Sequence, residues 1–296
     1  MTILAAECPQ CHQTRNSLFD RRTFHEHIIT NRLCDNCGLV FQSPHMSDEE
    51  LASFYEQEYR KLYQGDQGPN PKDLWVQDGR AQALVEFSQG SINTIGRHLD
   101  IGCSAGNLLQ AFQISYQCQS EGIEPGTAYR NHAAAQGLLI YPSLKDLEEQ
   151  QEESFDLVSL AHVLEHIPDP VKYLTHLRSR LIHPTGWLLV EVPNLYGHDC
   201  FELAHMVSYS YQTLEQVLKQ AGFRAVKSRI HGKPRSEILP LYITILAQPD
   251  STTIQALPQR ERRVRWKRKI GMIKCQVQTR LNPQKAWIPL SDKQSS

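Results

Sequence analysis

No apolar run among the 296 residues approaches the roughly 20 needed to span a bilayer. The opening MTILAAEC is too short for a secretory signal and ends in no cleavage pattern. Both absences point to a soluble, cytoplasmic chain. Net charge is nearly absent too, at −1, but its distribution is uneven. Residues 260–296 hold 11 Lys and Arg against 2 acids, a net of +9, which leaves −10 on residues 1–259. Cysteine is sparse: four of the eight fall before residue 38, and Cys103, Cys118, Cys200 and Cys275 are scattered. That pattern argues against a disulfide framework and for a metal site in a reducing compartment. A chain of this length buries roughly three quarters of its extended surface, so one large α/β domain with a small appendage is expected.

The central stretch is RHLDIGCSAG, residues 97–106, followed at once by the helical run NLLQAFQISY. A strand ending in Gly102 and Gly106 that opens a helix leaves unpaired N–H groups at the helix's positive end, and the missing Cβ atoms let a ligand approach the backbone. The spacing lacks the G-x-G-x-x-G that wraps a pyrophosphate and the Lys-Ser or Lys-Thr of a P-loop, so nucleotide phosphate is the weaker reading. Glu124 closes the next strand, QSEGIEP, 18 residues past Gly106. A carboxylate there accepts hydrogen bonds from both hydroxyls of a ribose.

Cys8-Pro-Gln-Cys11 and Cys34-Asp-Asn-Cys37 are two C-x-x-C knuckles separated by 22 residues. Four thiolates so placed surround one zinc ion tetrahedrally and leave no open position for catalysis, so the expected role is structural, in a zinc ribbon over 1–43. His12, His25 and His27 are read as solvated or locally bonded, with replacement of one cysteine ligand by a histidine as the alternative. A helical cap or linker is expected over 44–96, with an N-cap at Ser47, and a lid role is conceivable for Tyr55 to Tyr63. FDLVSL, residues 155–160, is a continuous apolar strand of the kind found in the middle of a parallel sheet, and A-H-V-L-E-H-I-P-D-P follows it. Ligands of open α/β sheets sit beyond the carboxyl ends of the strands, which brings His162, Glu165 and His166 to the site. The loop carrying His198, Asp199, Glu202 and His205 is where selectivity is expected. His205, with an ordinary imidazole pKa of roughly 6.5, suits proton removal at neutral pH. Residues 258–285 read as a basic amphipathic helix or a solvated tail, with anionic lipid, nucleic acid or an anionic sugar carrier as candidate contacts.

Taken together, GCSAG, GIEPG, FDLVSLAHVLEH, LLVEVPN and TLEQVLKQAGF resemble class I S-adenosylmethionine-dependent methyltransferases of the ubiquinone and glycan-cluster type. The knuckles running into LVFQSPHMSDEELASFYEQEY resemble the subset with an N-terminal zinc ribbon found among sugar and polysaccharide biosynthesis enzymes. The resemblance covers residues 8 to about 248. It implies a Rossmann-like, seven-stranded α/β sheet over 97–249, and the charge distribution adds a basic tail over 250–296. It implies S-adenosylmethionine held by Gly102, Cys103, Ser104, Gly106, Glu124, Leu144 and His162, with Ser143 near the adenine. It makes His166 and His205 the catalytic candidates, and the acceptor a small molecule, nucleotide sugar or glycan. Some relatives carry a metal-binding E-x-x-E-H where this chain has His162 for the first Glu. Related sugar C-methyltransferases carry a Glu-His pair where this chain has Ala204 and His205, so methylation of oxygen or nitrogen is expected over carbon. The alternatives are an RNA methyltransferase that uses the ribbon and tail to hold its substrate, and a module that binds the cofactor without turnover.

Overall fold

The computed structural model describes residues 6–24, 26–47, 50, 54, 68–150, 153–250, 252 and 258–288. The expected lid at Tyr55 to Tyr63 lies outside them. A seven-stranded sheet runs in the order β10-β11-β8-β7-β4-β5-β6. It is built from β4 (Arg97–Ile101), β5 (Gln119–Ile123), β6 (Leu139–Tyr141), β7 (Phe155–Ala161), β8 (Ile182–Pro193), β10 (Phe223–His231) and β11 (Tyr242–Pro249). β11 is antiparallel to both of its neighbours, and the remaining pairs are parallel. This is the expected Rossmann-like α/β architecture.

Successive residues of β7 serve opposite layers, which is why the strand reads as unbroken apolar sequence. Leu157 packs with Leu108 and Phe112 of α2 (Asn107–Tyr116) and with Leu84 of α1 (Pro71–Ser88). Val158 and Leu160 pack with Leu174 and Leu177 of α5 (Pro170–Arg180) and with Leu214 and Val217 of α6 (Tyr211–Gln220). Local chemistry sets the helix starts. Asn70 caps α1 through Asp73 N, Asp169 caps α5 with Pro170 in its first turn, and Ser210 and Thr213 form a reciprocal capping box on α6. Ser47 and Glu50 make the same reciprocal pair, at 3.2 and 2.7 Å. The shorter helices α3 (Thr127–Ala135) and α4 (Leu144–Gln150) flank β6.

The amino-terminal segment forms a hairpin of β1 (Asn16–Phe24) and β2 (His27–Cys34), then β3 (Val40–Gln42). Its sheet takes a fourth strand from deep in the chain, β9 (Val207–Ser208), with Val40 opposite Ser208 and Phe41 opposite Val207. Cys8, Cys34, Cys37, Leu39 and Phe41 therefore belong to the same apolar cluster as Val158 and Leu174. The module is built onto the large sheet's core.

The basic segment is also docked. Its helix α7 (Val264–Leu281), followed by the short α8 (Pro283–Ala286), lies across the loop after β8. A Cβ at Gly271 would stand 2.0 Å from the Tyr196 carbonyl oxygen, so this crossing requires glycine. Arg268 donates to the carbonyls of Leu195 and His198, and its guanidinium lies 4.2 Å from the Phe201 ring centre. Just before α7, Glu261 donates its N–H to the Cys37 carbonyl at 2.9 Å, while its carboxylate accepts from Tyr196 and Ser210. The solvated-tail reading therefore does not describe residues 258–288.

Candidate functional site

One cavity of about 560 Å³ opens beyond the carboxyl ends of β4, β5, β7 and β8. Its two ends have different chemistry. At one end Gly102 turns at φ +73°, and a Cβ there would stand 2.5 Å from Val163 Cγ2. Glu124 joins the two loops at this end: Oε2 accepts from Ser104 N at 2.9 Å and Oε1 from Gly126 N at 2.8 Å. Gln77 of α1 accepts from Ala105 N at 3.2 Å and holds the same turn from above.

Of the expected cofactor contacts, Gly102, Ser104, Glu124, Leu144 and His162 line the cavity, as does Ser143. Cys103 requires a correction. Its side chain is buried in a cluster with Leu109, Ala133 and Leu138, 2.5 Å from where a Cβ on Gly122 would stand. The residue after Gly102 points into the sheet-to-helix packing and shapes the turn from beneath. Gly106 likewise lies behind the turn, where φ is +85° and a Cβ would meet Leu138 Cδ1 at 2.3 Å.

The other end gathers His162, Glu165, His166, His198, Glu202, His205, Arg80 and Arg235. His166 and His205, 39 residues apart, meet edge to face with ring centres 4.8 Å apart. His166 Nδ1 donates to the Ala204 carbonyl at 2.9 Å, and His205 Nδ1 donates to the Cys200 carbonyl at 2.8 Å. A carbonyl only accepts, so each Nδ1 carries the proton in these two contacts. Glu202 Oε2 lies 3.7 Å from His205 Nε2. The carboxylate missing at position 204 is thus supplied three residues before His205, from Glu202. The sequence reading missed this, although the Glu-x-x-His spacing was visible.

Glu165 is buried among these rings, and neither of its oxygens has a hydrogen-bond partner among the described residues. Its nearest cation is His162, with Nδ1 3.4 Å away. Glu165, His166 and His205 bring one ligand atom each to within 4.8 Å of one another. Behind them Glu191 accepts from Arg80 Nε at 3.0 Å and from Thr244 Oγ1 at 2.9 Å, and it faces His162 Nε2 at 3.4 Å. The sequence reading also missed Arg80 and Gln77, because both come from α1, about a hundred residues before the strand that completes this wall. His162 itself holds φ +59°, a left-handed conformation rare for a side-chain-bearing residue and concentrated at functional sites.

Charge in this wall is set by enclosure and pairing. Burial opposes ionisation of Glu165, but His162, His166 and His205 outweigh it and bring the carboxyl down to about 2. Burial, with Arg80, pushes His162 down, but Glu165 and Glu191 reverse the sign and raise it. Burial lowers His166 and His198 to about 4, and lowers His98 to about 3 where it is wedged between Ser120 and Ser159 in the sheet. These last three histidines are neutral when folded and take a proton below their ordinary 6.5 only when unfolded. Stability is therefore lost as pH falls from 6.5 towards 4. Asp100, raised by burial to about 7, opposes this between pH 7 and 3.8. Three lowered histidines against Asp100 and the raised His162 give an expected net loss of roughly a few kcal/mol by pH 4. Urea unfolding at pH 7, 5.5 and 4 measures it, and a flat profile would contradict these neutral histidines.

In the amino-terminal module Cys8, Cys11, Cys34 and Cys37 bring their sulfurs within 4.8 Å of one another, with Cys8 to Cys37 at 3.6 Å and Cys11 to Cys34 at 3.5 Å. Four sulfurs around one zinc at about 2.3 Å are separated by roughly 3.8 Å, so the set fits that ion.

A family model described as a methyltransferase domain matches residues 75–228. The ubiquinone biosynthesis O-methyltransferase of Photobacterium profundum is 27% identical over 135 residues, 40% of this chain and 57% of that protein. The same enzyme of Vibrio atlanticus is 30% identical over 121 residues, 39% of this chain and 50% of that protein. The chain spans about half the length of the curated relatives it matches. Among solved structures, the 1,6-didemethyltoxoflavin-N1-methyltransferase of Burkholderia thailandensis, with bound 1,6-didemethyltoxoflavin and S-adenosylhomocysteine, gives a TM-score of 0.57 at 15% identity. It covers 78% of this chain and 99% of that one. A SAM-dependent methyltransferase from Archaeoglobus fulgidus gives 0.50 at 16% identity, covering 64% and 97%. Both structures are likenesses of fold.

Proposed function

The chain belongs to the methyltransferase-domain family, and from that membership we propose that it transfers a methyl group from S-adenosylmethionine to an oxygen or nitrogen of a small or glycan-type acceptor. One observation carries the reading: a single cavity joins a glycine turn braced by Glu124 to a pair of imidazoles, His166 and His205, each held through Nδ1 on a backbone carbonyl. Glu124 would hold the ribose hydroxyls, Gly102 and Ser104 the amino-acid part, and Ser143 and Leu144 the adenine. The sulfonium already activates the methyl group, so the protein's main work is to align acceptor, carbon and sulfur. As the acceptor atom bonds to the methyl carbon, the carbon–sulfur pair returns to sulfur and the acceptor's proton passes to His205 Nε2. Glu202 at 3.7 Å balances the imidazolium that forms. His166, lowered to about 4, is a weak base and suits an accepting contact that orients the acceptor. The similar O- and N-methyltransferases support oxygen or nitrogen as the target. Cys8, Cys11, Cys34 and Cys37 would hold a structural zinc.

His205→Asn is expected to lower kcat for methyl transfer by roughly 100- to 10,000-fold, the usual weight of a proton-transfer group. Its affinity for S-adenosylhomocysteine should equal the parent's. Unchanged kcat would remove His205 from the reaction. A second reading is favoured by Glu165, whose buried oxygens have no hydrogen-bond donor among the described residues. With His166 and His205 it is a donor set suited to a divalent cation, which would polarise an acceptor hydroxyl. Metal analysis decides: one ion per chain supports the first reading, and a second ion lost in His205→Ala supports the other.

A further inference from the structure

We infer that α7 seats this protein on an anionic phospholipid surface. One side of the helix is spent on the fold: Val264 and Cys275 are buried, Arg268 binds the carbonyls after β8, and Gly271 crosses Tyr196. At about 100° per residue, Trp266, Ile273, Val277 and Leu281 share an arc of roughly 80° on the opposite side, with half-buried Ile270 inside it. Those four are 60%, 49%, 47% and 73% exposed among the described residues. An apolar stripe pointing straight out from a docked helix has no structural use within one chain.

Charge identifies the partner. The helix VRWKRKIGMIKCQVQTRL contains no acid. Lys269, Lys274 and Arg280 border the stripe and make no ion pair among the described residues. Cations on both sides of a Trp- and Leu-bearing stripe suit a helix lying in the plane of a lipid interface, apolar side down and cations at the headgroups. A second copy of the chain fits poorly, because laying stripe on stripe would set basic rows against each other. RNA would use the cations but leave the stripe wet. The segment ends beside the cavity: Trp287, 42% exposed, has the Arg235 guanidinium 5.5 Å from its ring centre, and Arg235 lines the cavity. The inference does not rest on the methyl-transfer reading.

The test is co-sedimentation of the full chain with vesicles of phosphatidylcholine alone and of phosphatidylcholine mixed with phosphatidylglycerol. Three free cations give an expected preference of roughly 100-fold for the anionic vesicles, lost at high salt. Trp266→Glu and Ile273→Glu alter exposed positions, so their thermal midpoints should match the parent's while vesicle binding drops at least about 10-fold. Failure to bind anionic vesicles, equal binding to neutral ones, or variants that bind like the parent would overturn the inference. So would an equilibrium dimer abolished by the same substitutions, or tighter binding to a single-stranded RNA than to the vesicles.

Discussion

Glu124→Ala is expected to weaken S-adenosylhomocysteine binding by roughly 100- to 10,000-fold. Hydrogen bonds to a carboxylate contribute about 1.5–3 kcal/mol each, and the ribose would lose two of them. The same change frees Ser104 N and Gly126 N, so the glycine turn and the turn that opens α3 lose their common brace. Glu124→Gln separates the two effects. It keeps one accepting oxygen but turns an amide NH2 towards an N–H donor, for an expected loss of roughly 10-fold or more. Titration calorimetry reads both variants. An alanine variant that binds like the parent would mean the cavity takes its ligand some other way.

Loss of the zinc proposed for the four cysteines is expected to have the second large effect. Zinc-bound knuckles contribute on the order of 10 kcal/mol to modules this small, and here the module is continuous with the main core. β3 pairs with β9, and Gln42 N donates to Met206 O at 2.8 Å, one residue after His205. Cys34→Ala should therefore lower the thermal midpoint by at least about 10 °C and abolish methyl transfer through the His205 loop. Cofactor affinity, set at the opposite end of the cavity, should fall far less. Zinc content, thermal unfolding and calorimetry on one preparation check this. A variant without metal but with the parent's midpoint would contradict it.

Much of this was legible in the sequence because it follows from short-range rules. The apolar run at 155–160, the Asp169-Pro170 cap and the glycine spacing at 102 and 106 each follow from backbone geometry. The four thiols and the His166 and His205 pair could be named from residue type. What escaped depends on tertiary approach. β9 is two residues long and carries no period. Gln77 and Arg80 reach the cavity only because α1 packs on α2. Cys103 points inward because the turn places alternate residues on opposite sides. The docking of α7 depends on Gly271 and Cys275, small residues whose significance appears only when Tyr196 and Gly197 lie beneath them.

The most direct test of the account is a crystal structure of the chain with S-adenosylhomocysteine. It should show both ribose hydroxyls on Glu124, the adenine against Leu144, and the sulfur facing the end that holds His162, His166 and His205. A ligand bound elsewhere, or one lying reversed with its sulfur away from those histidines, would contradict the account.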